Sequence, residues 1–363
     1  MKKIIGLILF VLVCLCGCQN QNSEEPTKGL KYELSYDQTY YEVSGIGTAN
    51  TSKIVIPQTY NNLPVNGIAF SAFRKCKDIM EVVIPEGVTY IGLEAFSKCY
   101  NLKTVELPQS LTRINSYAFG ECSYLQNIVI PSNVEVIEAD AFYGCSYLKS
   151  ITIPKSVTKI GGNPFTYCTN LNSIVVEEDN TIYDSRNNCN AIIETVSNTL
   201  ISGCQNTIIP NDITEIGDSA FRGLSIESIS LPQNLQSIRR RAFANCNNII
   251  SMTLPESVTS IEEYAFSECV NLKNINLPRN IKSIKAHLFD NCTSLESIII
   301  PSGVFSIESY AFNNCTSLKI VYNASKIKLE VGSTNYGSIA LYATNVYNNG
   351  EWNYVDGIPT PIK

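Results

Sequence analysis

One interval organises most of the sequence. Proline, phenylalanine and cysteine each recur every 23 residues, for example at Pro85, Pro108, Pro131 and Pro154. One such unit, Glu86–Pro108, reads E-G-V-T-Y-I-G-L-E-A-F-S-K-C-Y-N-L-K-T-V-E-L-P. A fixed period of about 20 to 50 residues predicts a solenoid, because a single repeat cannot bury its apolar face and has to stack on its neighbours.

Each unit contains a regular set of apolar positions for the interior. We expect a short strand at Val105-Glu106-Leu107, ended by Pro108, because proline cannot donate to a strand ladder. The segment V-x-x-I predicts an extended or turn side, and Ala95-Phe96 predicts a short helical turn before Cys99. When such units stack, the strands should form one long parallel sheet with about 4.8 Å between neighbouring rungs.

The unit A-F-x-x-C-x-x-L-x-x-I-x-I-P resembles the leucine-rich repeats of the BspA-like family, and the resemblance covers roughly residues 31–363. It implies an α/β repeat solenoid, a right-handed superhelix. Such a solenoid has a long parallel sheet on one face and short helical turns or irregular segments on the other. It also implies a surface protein that adheres to host or matrix proteins or to other bacteria.

The N-terminus has the features of a lipoprotein signal. Two lysines precede an apolar run that is short for a membrane span, so we interpret residues 1–17 as a signal peptide. The sequence Leu-Cys-Gly-Cys resembles a bacterial lipobox, which implies that Cys18 is lipidated and tethers the chain. The alternative is an ordinary secretory signal. Residues 18–29 are polar and predict a disordered tether, and we expect the outer membrane or cell surface of a Gram-negative bacterium as the location.

The remaining chain divides into a cap, a solenoid and a second cap. Residues 30–53 alternate apolar and polar side chains around a turn at Tyr36-Asp37-Gln38, which predicts a β-hairpin that covers the first coil. The solenoid should occupy residues 54–322. Residues 323–363 lose the repeat and form a C-terminal cap that contains Trp352, the only tryptophan. Trp352 is either an exposed aromatic for sugar or partner contact or a plug over the final coil, and we favour the plug.

An insertion at about 177–207 interrupts the period. Pro154 and Pro210 are 56 residues apart, which is out of phase with 23. Residues 191–194 and 199–202 predict two strands joined by a turn. They form either an irregular coil that continues the stack, which we favour, or a projecting hairpin.

Cysteine usage favours packing over chemistry. Of 14 cysteines, nine occupy one inward repeat position, and we expect free thiols there because the Cβ atoms of stacked cysteines diverge from bridge geometry. Cys189 and Cys204 lie outside that register and form the possible disulfide.

Neither catalysis nor a cofactor is expected. His287 is the only histidine, and no metal-binding or nucleophile motif is present. The acidic residues Glu177, Glu178, Asp179 and Asp184 do not have EF-hand spacing, so we predict no metal site. The net charge of −6 becomes −8 without Lys2 and Lys3, which argues against nucleic acid as a partner. We interpret Arg239–Arg241 as a solvated face.

The positions between the inward strand residues form an outward strip that is nearly uncharged. We predict a ledge roughly 50 to 60 Å long, on which a ligand-binding role and an ordinary exposed sheet face are both open interpretations. In the last coil the pattern places Lys319 and Val321 outward. The candidate ligand-binding residues are Thr104, Glu106, Asn127, Val129, Ser150, Thr152, Ser228, Ser230, Ser251, Thr253, Asn274, Asn276, Ser297 and Ile299.

These observations together predict a non-enzymatic adhesion protein. It would bind a host, matrix or bacterial protein through the solenoid face, would contact the membrane only through its lipid, and would be a monomer. The alternative is a glycan-capture lipoprotein that serves nutrient uptake. Exposed aromatic platforms would favour that alternative, and the strip has almost none, so protein is preferred over glycan as the partner.

Overall fold

The computed structural model describes residues 24–362, so the predicted signal peptide and Cys18 lie outside the described residues. The chain forms a parallel β-solenoid of about 13 turns. Residues 24–29, which belong to the predicted tether, lie against the first coil. The Thr27 amide donates to the Val55 carbonyl at 2.8 Å, and the Val55 amide donates to the Thr27 hydroxyl at 2.8 Å.

The secondary structure consists almost entirely of short strands. In chain order they are β1 (Lys31–Leu34), β2 (Tyr41–Gly45), β3 (Lys53–Val55), β4 (Thr59–Tyr60), β5 (Leu63–Ile68), β6 (Glu81–Val83), β7 (Tyr90–Ile91), β8 (Thr104–Glu106), β9 (Arg113–Ile114), β10 (Val136–Ile137), β11 (Ser150–Ile153), β12 (Lys159–Ile160), β13 (Ser173–Val176), β14 (Tyr183–Asp184), β15 (Ala191–Glu194), β16 (Thr199–Gly203), β17 (Glu215–Ile216), β18 (Ser237–Ile238), β19 (Ser251–Met252), β20 (Ser260–Ile261), β21 (Asn274–Ile275), β22 (Ser283–Ile284), β23 (Ser297–Ile300), β24 (Ser306–Ile307), β25 (Ile320–Asn323), β26 (Asn345–Tyr347), β27 (Trp352–Val355) and β28 (Ile358–Pro361).

Most regular coils contribute to two parallel ladders rather than to one sheet, and the coils that contain Asn127 and Ser228 have a strand only in the second ladder. The first ladder contains β3-β6-β8, β11-β13, β19-β21 and β23-β25-β26. The second ladder starts at β2-β5-β7-β9-β10-β12, continues through β16-β17-β18-β20 and ends with β22-β24. The segment that we expected to be extended or a turn is therefore a second row of strands.

The expected helical turns do not form. Residues 24–362 contain no α-helix, and 3-10 turns occur only at Arg186–Asn188 and Tyr336–Ser338. On the third side of each coil, left-handed residues such as Glu94 (φ 56°) and Lys98 (φ 64°) flank the Ala-Phe pair. The Phe96 amide donates to the Ala118 carbonyl of the next coil at 2.8 Å. Because these amides bond laterally between coils, they are not available for the i to i−4 bonds of a helix.

The core is a stack of like residues. Ten phenylalanines are at most 1% exposed, and consecutive rings within each half stack with centroids 5.0 to 5.8 Å apart. This offset stacking suits the aromatic quadrupole. The first column runs from Phe73 to Phe165, and the second runs from Phe221 to Phe312.

A hairpin covers the first coil. Strands β1 and β2 pair antiparallel, and β2 continues into the solenoid by pairing parallel with β5. The Asp37 carboxylate closes the turn by accepting hydrogen bonds from the hydroxyls of Ser35 and Thr39, at 2.7 and 2.8 Å. The extra residues of the first coil form a second tight hairpin, β4–β5, whose turn residues Asn61 and Asn62 both have positive φ.

The insertion lies inside the stack. Strands β15 and β16 pair antiparallel, and β16 then pairs parallel with β17 of the next coil. We call β15–β16 the partition hairpin. Ile192 packs into the core of the N-terminal coils, whereas Ile193 packs into the core of the C-terminal coils. Alternate side chains of a strand point to opposite faces, so a strand that separates two cores has to be apolar on both.

Polar groups connect the coils on either side of the partition hairpin. The buried Asn163 side chain accepts from the Ser202 hydroxyl at 2.7 Å and donates to the Ser219 carbonyl at 2.8 Å. A Cβ at Gly203 would lie 2.2 Å from the Phe221 ring, so only glycine fits there. The lateral hydrogen bonds of the third side thus pass from the coil of Phe165 to the coil of Phe221 beside the hairpin.

The C-terminal region closes the last coil and then leaves it. Strand β26 pairs with β25, and Leu329, Ile339, Ala340 and Ala343 are buried over the final phenylalanine coil. Strands β27 and β28 pair only with each other within the described residues. Two-stranded hairpins are marginally stable alone, so this one depends on its contacts with the solenoid.

Candidate functional site

The strand strip is the outward row of the first ladder. We give this name to the fourteen candidate residues from Thr104 to Ile299. Twelve are exposed, and Ser297 and Ile299 are half-buried. Glu106 is the only charged member. Apart from Asn276, none of the polar side chains makes a hydrogen bond or ion pair within residues 24–362.

Asn276 differs from the other members of the strip. Its side chain accepts from the Leu254 amide at 2.8 Å and donates to the Leu254 carbonyl at 3.0 Å. The side chain therefore replaces a strand pair between two coils. Asn276 has a structural partner that the other polar members of the strip do not have.

The last coil corrects the sequence prediction by one residue. Val321 is buried and pairs in register with the inward Ile298, whereas Ile320 and Tyr322 point outward. The spacing Leu318-x-x-Val321 repeats the spacing Leu295-x-x-Ile298, so this register was present in the sequence. Lys319 precedes the strand.

Four rings gather at the C-terminal end of the strip, and we call them the aromatic corner. Tyr322 stacks on Tyr347 with centroids 5.5 Å apart. Trp352 lies 5.3 Å from Tyr322, and Tyr354, which is 56% exposed, lies edge-on to Trp352 at 5.3 Å. Trp352 does not belong to the buried layer over the final coil, so the plug interpretation was wrong.

The insertion divides the strip in two. After β13, which ends at Val176, the first ladder has no paired strand until β19 at Ser251. Residues of the insertion fill this gap. The main-chain amide of Gln205 donates there to the Leu171 carbonyl at 3.0 Å. A shallow polar cleft results, lined among others by Asn170, Asn206 and Ser228.

The outward side chains of the second ladder form a contrasting surface, which we call the second-ladder face. Its members bond to one another along the stack. The Thr112 hydroxyl donates to the Thr89 carbonyl at 3.0 Å, and Arg113 pairs with Glu138 at 2.9 Å. Arg239 pairs with two carboxylates, Glu215 at 2.8 Å and Glu262 at 2.9 Å.

The third side of each coil, which carries the Ala-Phe pair, is called the turn side, and the repeat cysteines form a thiol column inside it. Eight thiols each donate to the phenylalanine carbonyl of the preceding coil at 3.0 to 3.2 Å, as Cys99 does to Phe73. Burial raises the pKa of Cys99 and of Cys269 to about 12. These thiols are neutral at physiological pH, so they are poor nucleophiles. All eleven cysteines of residues 24–362 are free.

Cys189 and Cys204 are not bridged in the structure. Both are buried, and they make separate contacts: the Cys189 thiol reaches the Ala191 carbonyl at 3.8 Å, and the Cys204 thiol donates to the Asn190 carbonyl at 3.2 Å. They also belong to different core clusters, Cys189 to the C-terminal one and Cys204 to the N-terminal one.

The remaining candidates have local partners. His287 stacks between Tyr264 and Tyr310, at 4.4 and 5.0 Å, and its Nδ1 lies 2.9 Å from Asp290. Asp184 is ion-paired with Arg186 at 2.7 Å. Within residues 24–362 no group of acidic, histidine or cysteine side chains has metal-binding geometry, and no helix has the length and apolar character needed to cross a membrane.

Comparison with known sequences identifies the class of protein. Residues 47–192 and 195–319 match the BspA type leucine-rich repeat region in six copies. The chain therefore belongs to the BspA-type leucine-rich repeat family. No curated protein matches it significantly.

Solved structures share the fold. A leucine-rich repeat protein from Eubacterium ventriosum is 19% identical, with 92% of this chain and 98% of that chain covered and a TM-score of 0.69. A leucine rich cell surface protein from Faecalibacterium prausnitzii is 24% identical, with 90% and 94% covered and a TM-score of 0.58. The pneumococcal vaccine antigen PcpA is 22% identical, with 88% and 81% covered and a TM-score of 0.60.

Proposed function

We propose that the chain is a monomeric, non-enzymatic cell-surface adhesion protein that binds a host, matrix or bacterial protein through the strand strip. The proposal includes the lipid anchor at Cys18 and a location in the outer membrane or at the cell surface of a Gram-negative bacterium. Family membership supports a surface role. The observation that carries the proposal is the strip itself, whose polar side chains have no partners within the described chain except at Asn276.

The physical argument concerns unused hydrogen-bonding capacity. The fourteen members of the strip lie two to a coil on seven coils. Ordering their free hydroxyls and amides costs little conformational entropy, because the backbone beneath them is already fixed. Many modest contacts along a strip of about 40 Å can then add to a stable complex with an extended protein segment. Because the strip is nearly uncharged, its binding should depend weakly on salt.

A binding array with a matched pair of variants tests the proposal. The full chain is applied to matrix proteins and to glycans, and Thr253→Glu is compared with Thr259→Glu. Both threonines are exposed in the same coil, but Thr253 lies on the strip and Thr259 on the second-ladder face. We expect Thr253→Glu to weaken binding to the captured protein by about tenfold, or about 1.4 kcal/mol, and Thr259→Glu to leave it unchanged.

Two outcomes would contradict the proposal. One is equal loss of binding in both variants, which would show that the strip is not the contact surface. The other is the absence of binding to any protein on the array. Protease shaving of intact cells tests the location separately, since a surface protein is cleaved under conditions that leave a periplasmic protein whole.

The aromatic corner favours a second candidate, a glycan-capture lipoprotein for nutrient uptake. Rings such as Tyr354 provide the exposed aromatic surface that the rest of the strip does not have. Under this alternative, Tyr354→Ala abolishes binding to neutral glycans on the same array, whereas Thr253→Glu has a smaller effect. Glycan binding that is unaffected by Tyr354→Ala would remove this candidate.

A further inference from the structure

Three arginines of the turn side form a cluster that we call the arginine patch: Arg222, Arg240 and Arg241. Arg222 follows Phe221 directly, and the other two precede Phe243 in the next coil. These coils are joined laterally, since the Ser219 amide donates to the Arg240 carbonyl at 2.9 Å. The patch therefore brings together residues from the two coils that follow the partition hairpin.

The patch is unusual because it contains no ion pair. Four of the five other arginines of the described chain, Arg74, Arg113, Arg186 and Arg239, lie within 3.0 Å of a carboxylate, and only Arg279, which stands alone, does not. No carboxylate of residues 24–362 lies within 4.0 Å of a patch guanidinium. In addition, the Nε atom of Arg222 is buried without a hydrogen-bond partner. An unpartnered buried donor is costly and calls for an explanation.

The patch cations act on one another. The pKa of Arg241 is lowered first by burial and then by the charges of Arg240 and Arg222. Asp140 acts in the opposite direction, but its carboxylate accepts a hydrogen bond from the Tyr117 hydroxyl at 3.1 Å. A bound anion would relieve this repulsion.

Aromatic rings hold the patch from both sides. The Arg222 guanidinium lies 5.2 Å from the Tyr167 ring centre, and that of Arg241 lies 4.9 Å from the Tyr264 ring centre. Tyr143 extends the aromatic row beyond Tyr167, and His287 extends it beyond Tyr264. A guanidinium that rests on a ring face keeps its planar fork of donors free for an oxyanion.

The backbone of this surface limits the kind of ligand. The amides of Phe221, Gly223 and Phe243 all donate to carbonyls of the next coil, at 2.8 to 2.9 Å. An extended peptide therefore has no free main-chain donors here with which to form a strand pair. Recognition has to use side chains: guanidinium forks for carboxylate or sulfate groups, and tyrosines for flat rings that carry hydroxyls.

We propose that the arginine patch and its flanking tyrosines bind an acidic polysaccharide, with carboxylate or sulfate groups on the arginines and sugar rings against the tyrosines. This site lies on the turn side, whereas the strand strip lies on the first ladder. The proposal does not rest on the function proposed for the strip, and either can fail without the other.

The test compares acidic saccharides with controls of matched size. Probes are heparin oligosaccharides for sulfate, oligogalacturonate for carboxylate, neutral dextran and poly-glutamate, each titrated into the full chain by calorimetry. We expect at least one acidic saccharide to bind, with an affinity that falls as salt rises, and dextran not to bind. The two acidic saccharides distinguish sulfate from carboxylate recognition.

A charge-matched pair of variants assigns the site. Arg240→Ala with Arg241→Ala should weaken binding by about tenfold or more, whereas Arg279→Ala should change it by less than about twofold. Arg279 is exposed and also lies outside every ion pair of the described chain. If the double variant does not fold, Arg241→Lys keeps the charge without the fork and should weaken binding about threefold.

Three results would overturn the proposal. The first is equal weakening by Arg279→Ala, which would indicate a general charge effect. The second is binding of neither acidic saccharide. The third is tighter binding of poly-glutamate than of both saccharides, which would assign the patch to an acidic polypeptide instead.

Discussion

The strand strip and the second-ladder face are built from the same coils, yet their polar side chains behave in opposite ways. On the second-ladder face, Thr112, Arg113 and Arg239 bond to neighbouring coils. On the strip, side chains such as Thr253 and Asn274 contact no partner within the described residues. The same backbone spacing permits both arrangements, so the difference comes from side-chain choice and not from geometry.

Hydrogen bonding along the stack separates structural positions from candidate binding positions. Polar groups that bond along the stack join one coil to the next and contribute to stability. Polar groups without partners add little to stability, since water solvates them equally well in the unfolded chain. The second kind of position is therefore the better candidate for binding.

The largest expected effect concerns the thiol column, whose donors are satisfied within the chain as those of the second-ladder face are. The folded pKa of Cys269 is about 12, compared with an ordinary value of 9.0. Because the folded value is raised, the stabilisation is complete below pH 9 and is lost as the pH rises from 9 towards 12. Burial raises the pKa of all eight thiols of the column, so each of them contributes to this loss in the same direction.

Urea unfolding at pH 8 to 10 measures this loss. Cys269→Ala should reduce the slope of stability against pH by one thiol's share, about one eighth of the column's effect. A free energy of unfolding that stays constant up to pH 10 would contradict the assignment of the column as buried neutral donors.

The next effect concerns the partition hairpin, which lies between the two core clusters. Ile193→Ala in the partition hairpin should lower the free energy of unfolding by about 2 to 5 kcal/mol, because Ile193 is fully buried. Val196→Ala is the control, since Val196 is 91% exposed in the turn of the same hairpin and should change stability by less than about 0.5 kcal/mol. Chemical denaturation measures both, and equal effects would mean that the hairpin is not packed between the cores.

A smaller effect sharpens the comparison within the strip itself. Asn276→Ala should cost about 1 to 2 kcal/mol because it leaves the Leu254 amide and carbonyl without their side-chain partner. Asn274→Ala removes the same amide from the same coil and should cost less than about 0.5 kcal/mol. Thermal unfolding of the two variants gives the difference. Identical melting temperatures would show that a side-chain bond across coils is worth nothing measurable here.

The smallest effect concerns the second-ladder face. Arg239→Ala should cost about 0.5 to 1 kcal/mol, since the pair with Glu215 and Glu262 is partly exposed, and the cost should fall at high salt. Arg279→Ala, which breaks no ion pair, should change stability by even less. A larger effect of Arg279→Ala than of Arg239→Ala would reverse the expected order of the two arginines.

The repeat made much of the strip predictable. Once Val105 and Pro108 fix the inward register, a period of two assigns Thr104 and Glu106 outward, and 23 residues carry the assignment to the other coils. The turn side was mispredicted as helical because the Ala-Phe turn bonds to the next coil and not to itself. A bond between coils leaves no local signature in the sequence.

The other surprises also depend on neighbours along the stack. Successive side chains of the partition hairpin pack into different cores because its strand lies between them. The apolar run Ala191-Ile192-Ile193 is compatible with that position but does not require it. The sequence alone indicates that Arg240 and Arg241 form a solvated triplet with Arg239. The stack instead separates Arg239, which is ion-paired, from the two that meet Arg222 of the coil before.

The partition hairpin has a further consequence for the length of the molecule. Because it divides the interior into two independent stacks, a 23-residue coil added to one half would leave the buried surface of the other half unchanged. Each addition would extend the strip by about 4.8 Å and present two more side chains to a ligand. The number of coils therefore sets the length of the strip, and coils can be added separately on either side of the partition hairpin.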